Sequence, residues 1–157
     1  MKNISLIIIL SFFILNITSS ISRAQTTPVA MSALGVNDPW TDNQLLEPSV
    51  LARDLNNKGT QIPMIFNIGA VEDIKNAKHI GVLSINKNLE KLRGVVAILP
   101  KGTAIVIYCG CCPFNKCPNI RPAFVELKKL GFTNFKLLNL PFNLQTNWIA
   151  KGYPLAN

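Results

Sequence analysis

The chain's four cysteines fall within nine consecutive positions: Cys109, Cys111, Cys112 and Cys117. Thiols this crowded have three chemical uses. A thiolate with a lowered pKa is a nucleophile. Several thiolates together bind a soft ion such as Zn²⁺ or Cu(I), and the set considered for that is Cys109, Cys112 and Cys117. A close pair supports thiol–disulfide exchange, for which Cys109 and Cys112 have a redox-type spacing, or forms a loop-stiffening disulfide such as Cys112 to Cys117. A framework of two structural disulfides is the poorer expectation, because a staple gains most by closing a long loop. The spacing also departs from the two separated pairs of a four-cysteine zinc site.

The flanking residues place this loop. Residues 103–108 are apolar and rich in branched side chains, which predicts a fully buried strand. A helix is expected over 122–130. Pro122 suits its first position, Ala123, Phe124, Leu127 and Leu130 share one apolar face, and Gly131 stops it. The cysteines therefore sit between the carboxyl end of a buried strand and a helix N-terminus. Open α/β sheets place their ligands at that edge. Loop N–H groups and the helix start favour a thiolate there.

Elsewhere the pattern predicts a short helix opened by Pro48, with Leu51 and Leu55 on one face, and a strand over 63–68. A weaker strand is expected over 80–85, a helix over 88–99, a strand over 134–140 and a short helix over 143–151. Strands alternating with helices imply α/β architecture, a central parallel sheet covered on its faces.

Residues 1–24 read as a signal peptide: Lys2, an apolar run over 4–17, and a small-x-small site at Ser22-Arg23-Ala24. Residues 25–43 are polar and aperiodic and read as a flexible lead-in, with Trp40 packing on the domain edge. The domain is expected over 44–155. Export, periplasmic or secreted, follows from the leader, with no stable membrane association after cleavage, and puts the thiols in an oxidising compartment. The net charge of +8 becomes +6 once Lys2 and Arg23 leave with the leader. No like-charge run or aromatic–basic interleaving points to nucleic acid.

The second half resembles the rhodanese-like family. The matching pieces are Ile107-Tyr108-Cys109, the helix from Ala123 to Leu127 continuing to Gly131-Phe132, Asn134-Phe135, and Trp148 with Gly152-Tyr153-Pro154. In the first half, the stretch from Ile65 to Gly69 stands where the family often has Ile-Asp-Val-Arg, and Ile74-Lys75-Asn76-Ala77 resembles Ile-Pro-Gly-Ala. Asn67 and Gly69 thus replace an Asp and an Arg, and Leu140-Pro141 replaces a Gly-Gly. The cysteine loop is about five residues longer than the family's, counted to Ala123. In the chosen register His79, the single histidine, is incidental.

The resemblance implies a three-layer rhodanese-like fold and a sulfurtransferase. Cys109 would be the catalytic thiolate, taking sulfur from a thiosulfate-like donor as a persulfide and passing it to a thiol or cyanide-like acceptor. Gly110, Cys111, Cys112, Lys116 and Arg121 would bind the donor or the persulfide. No cofactor is expected. An inactive rhodanese-like binding module is the other reading the altered loop allows.

Overall fold

The structure, a computed structural model, describes residues 38–157. The expected signal peptide and the lead-in up to residue 37 lie outside the described residues.

Among the described residues five strands form one parallel sheet: β1 (Leu45–Leu46), β2 (Met64–Asn67), β3 (Ala77–His79), β4 (Ile105–Tyr108) and β5 (Phe135–Leu138). Their order across the sheet is β1-β5-β4-β2-β3, and every pairing is parallel. The helices are α1 (Pro48–Asn56), α2 (Asn86–Ala97), α3 (Ile120–Lys129) and the single turn α4 (Leu144–Asn147). Successive strand side chains point to opposite faces. Phe66, Ile105, Ile107, Phe135 and Leu137 pack with Leu92 and Val96 of α2 and with Phe124 and Leu127 of α3. Ile65, Val106, Tyr108 and Leu138 pack with Leu51 and Leu55 of α1 and with Leu144 and Trp148. Covering both faces explains why all four residues of β4 are buried.

Trp40, expected at the domain edge, is buried in the first of these cores, with Phe124 edge-on at 5.6 Å between ring centroids. The Phe135 ring centroid stands 4.8 Å from that of Phe124. Such aromatic pairs contribute about 0.5–1.5 kcal/mol each beyond area burial. A bidentate contact from Arg93 to Glu126, at 2.7 and 3.0 Å, ties α2 to α3. Hydrogen bonding to that guanidinium holds the Glu126 carboxyl below its ordinary range.

Several elements differ from the sequence expectation. The strand expected at 80–85 is instead β3, at Ala77–His79. Its pairing with β2 ends at Asn67 opposite His79, and the N–H groups of Ile80 and Gly81 both turn back to the Asn67 carbonyl. Ile80 and Leu83 are buried as turn residues. Helix α2 lies two residues earlier than expected at each end. Helix α3 starts at Ile120, so Pro122 is its third residue and not its first. That position is still in the first turn, where backbone N–H groups have no intrahelical partner. Leu130 is half-buried at the helix end, and Gly131, at φ 82°, closes it. The last helix breaks at Trp148 into α4 and a 3₁₀ turn, Ile149–Lys151, as the buried indole reaches the Pro154 carbonyl through its N–H. Among the described residues no helix is long and apolar enough to cross a membrane.

Candidate functional site

The Ile68 N–H bonds to the Tyr108 carbonyl at 2.9 Å and extends the β2–β4 ladder to its last rung. Cys109 follows directly. Alternation puts its side chain on the same face as Ile105 and Ile107, toward α3, and the residue is 1% exposed. Two glycines make room for it. A Cβ on Gly69 would lie 2.3 Å from the Cys109 carbonyl oxygen and 2.9 Å from its Sγ. Gly110 has φ 76°, a conformation that L side chains rarely adopt, and a Cβ there would meet the Leu144 Cβ at 2.8 Å. The Leu144 N–H fastens the turn by donating to the Gly110 carbonyl at 2.8 Å.

Beyond Gly110 the loop makes a 3₁₀ turn, Phe114–Lys116, held to the sheet edge by the Phe114 N–H on the Leu140 carbonyl. The turn delivers Cys117 back into the core, 2% exposed. The sulfurs of Cys109, Cys111 and Cys117 all lie within 4.8 Å of one another. Cys109 and Cys111 are 3.2 Å apart. Asn119, buried, donates its side-chain N–H to the Cys109 Sγ at 3.3 Å while its oxygen accepts from the Ser84 N–H at 3.3 Å. The Ser84 contact fixes which end of the amide faces the sulfur. Asn119 is also the N-cap of α3, but its side chain makes no capping bond and serves Cys109 instead. The sulfur therefore lies beside a helix amino end.

These donors set the protonation pattern. The Cys117 S–H, then the Asn119 N–H and the side chain and backbone N–H of Cys111, bring the Cys109 thiol down to about 5 against the opposing effect of burial. Cys117 is pushed the other way, chiefly by its hydrogen bond to Cys109 and by burial, and keeps its proton. Cys111 rises to about 12, through burial and its thiol neighbours. At neutral pH the trio thus holds one thiolate, on Cys109, and two thiols donating to it.

A second polar cluster shapes the wall opposite. Asn67, fully buried, donates to the Val71 carbonyl and to Asp73, both at 2.8 Å, and accepts from the Gly69 N–H at 3.0 Å. The Tyr108 hydroxyl accepts from the Ile74 N–H at 2.9 Å and donates to the Glu72 carbonyl at 3.1 Å. Together they clamp the segment carrying Gly69 and Val71 against Cys109 and Gly110. His79 contacts Asp73 at 3.0 Å and the Asn67 side-chain amide at 3.2 Å.

The residues singled out from sequence divide clearly. Cys109, Gly110 and Cys111 are brought together. Cys112 is half-buried with its Sγ 3.4 Å from that of Cys111, but it lies outside the group of three. Of the three cysteines considered for a soft ion, Cys109 and Cys117 fall in the group of three and Cys112 does not, and Cys111 stands there in its place. All four thiols are free, and the Cys112–Cys117 disulfide is not formed. Lys116 is exposed on the loop. Arg121, expected to hold a donor, instead pairs with Asp38 and stacks 5.2 Å over the Trp40 ring. Sequence reasoning missed Asn119 and the Asn67–Tyr108 clamp. The one signal for Asn119 was a cap-type residue just before a helix. Surface depressions lined by Lys75, Asn76 and Leu155, and by Gln61, Thr103 and Asn134, lie away from the cysteine loop.

Compared with models of protein families and with curated proteins, the chain matches none.

Proposed function

We propose that the protein is a sulfurtransferase that carries sulfane sulfur on Cys109. The observation behind this reading is the buried Cys109 thiol at the carboxyl end of the central strand, lowered to about 5 by a ring of donors. The all-parallel five-stranded sheet agrees with the three-layer rhodanese-like fold, and the rhodanese-like motifs noted in the sequence lead to the same residue.

In the first step the Cys109 thiolate attacks the outer sulfur of thiosulfate. A new S–S bond forms, the old one breaks, and sulfite leaves with the bonding pair. The enzyme then holds Cys109–S–S⁻. In the second step cyanide or a thiolate attacks the terminal sulfur, and Cys109 leaves as the thiolate it was at the start. No net oxidant or proton is required with cyanide. The donors that lower the Cys109 pKa, the Cys117 S–H, the Asn119 amide and the Cys111 N–H, are placed to receive the negative charge when it moves onto the added sulfur. Exposed Lys116 and a basic overall balance favour an anionic donor. Arg121 is engaged by Asp38 and the Trp40 ring.

The test is mass spectrometry of the reduced protein after thiosulfate, together with thiocyanate production from thiosulfate and cyanide. One added sulfur on the Cys109 peptide and loss of turnover in Cys109→Ser are expected. A wild-type protein that gains no sulfur, or a Cys109→Ser variant that keeps most of the rate, defeats the reading.

A further inference from the structure

We propose that Cys109, Cys111 and Cys117 form a three-sulfur site for a soft monovalent ion, with Cu(I) as the ion tested. The inference does not depend on sulfur transfer. It stands on how the loop converges, with three sulfurs from residues on both sides of a 3₁₀ turn inside one 4.8 Å group.

The dimensions suit three-coordination. A metal–sulfur bond of about 2.3 Å in a flat trigonal site puts the sulfurs about 4.0 Å apart. Cys109 and Cys111 stand at 3.2 Å, so that edge must open by about 0.8 Å on loading. Cys111 is the member able to move: it is exposed on the loop, while β4 and the start of α3 hold the buried Cys109 and Cys117. Entry is from the Cys111 side for the same reason. The Asn119 N–H on the Cys109 sulfur at 3.3 Å supplies an outer contact of the kind that orients a ligand.

The donor chemistry chooses the ion. All three donors are thiols, the soft class that selects Cu(I). Among the described residues no imidazole or carboxylate joins the group, and His79 is engaged with Asp73. Structural Zn²⁺ sites take four ligands, and Cys112 lies outside the group. On loading, the protons of the ligating thiols pass to solvent and the sulfur lone pairs bind the ion, with no change in oxidation state.

The experiment is an anaerobic titration of the reduced full chain with Cu(I) against a chromophoric Cu(I) chelator, followed by X-ray absorption. One Cu(I) per chain with three sulfurs at about 2.3 Å is expected. Cys112→Ser should retain the wild-type affinity. Cys111→Ser and Cys117→Ser should each lose about a hundredfold or more, at least the upper end of what outer contacts contribute. Cys111 is exposed, so its variant carries the test if Cys117→Ser disturbs the fold. No uptake against the chelator, an equal loss in Cys112→Ser, or a Zn²⁺ complex with four sulfurs that outcompetes Cu(I) would each overturn the proposal.

Discussion

Replacing Cys117 by alanine should make Cys109 a poorer nucleophile at acid pH and leave it almost unchanged at alkaline pH. The Cys117 S–H is the largest of the contributions that bring Cys109 down to about 5, and Asn119 and Cys111 remain when it is removed. A hydrogen bond to a charged partner is worth about 1.5–3 kcal/mol. At 1.36 kcal/mol per pH unit, its loss raises the Cys109 midpoint by about one to two pH units. At pH 6 the wild-type residue is about nine-tenths thiolate, and the variant falls to between about a half and a tenth. The expected rate ratio is therefore about twofold to tenfold at pH 6, closing toward one by pH 9. Cys117→Ser, which keeps an O–H donor, should recover most of the difference. The assay is alkylation by a small reagent, iodoacetamide, across pH 4–9, with the Cys109 peptide quantified by mass spectrometry. Circular dichroism checks the fold. A wild-type midpoint near the ordinary value of about 8.5, or a midpoint unmoved by Cys117→Ala, would refute the assignment of donor and acceptor.

Gly69→Ala forces a Cβ to within 2.3 Å of a backbone oxygen, which cannot swing aside as a side chain does. Urea unfolding should show a loss of about 1–3 kcal/mol, the usual cost of overpacking, and sulfur loading at Cys109 should fall with it; a silent variant would mean that the approach of β2 to the site is misjudged. Leu127, fully buried between α3 and the sheet, should cost about 2–5 kcal/mol when cut to alanine, and a loss under about 1 kcal/mol would place it on a surface. Mild oxidation with diamide should join Cys109 to Cys111, whose sulfurs are 3.2 Å apart. Peptide mapping that finds Cys112 joined to Cys117 instead would contradict the loop geometry.

Burial decides which parts of this fold were legible beforehand. β4 and α3 announced themselves because each presents an apolar pattern of the right period: four buried residues in one, and Phe124 and Leu127 on one face of the other. β3 did not, since Ala77, Lys78 and His79 form an edge strand with little apolar content, and the apolar residues just after it are buried in a turn. β1 has two residues, too few to show a period. The strand-end position of Cys109 was legible for the same reason that β4 was. Its partners were not. The choice of Cys111 over Cys112 depends on a reversal at Gly110, Asn119 is aimed by Ser84 from another part of the chain, and Arg121 is drawn off by Asp38, distant in sequence. Spacing along the chain carries no information about any of these contacts.

The strand order has a consequence in time. β4 sits between β2 and β5, pairing Val106 with Ile65 and Ile107 with Leu137, so both of its neighbours come from distant parts of the chain. Non-local parallel pairings of this kind form slowly. Until β4 is inserted, nothing distinguishes Cys109 from Cys111 and Cys117, and none is marked as acceptor or donor. A chain that meets an oxidant in that interval pairs its cysteines by chance proximity, whereas one that meets it afterwards does so with their roles already assigned. Oxidation after strand insertion meets Cys109 already grouped with Cys111 and Cys117, and oxidation before it does not.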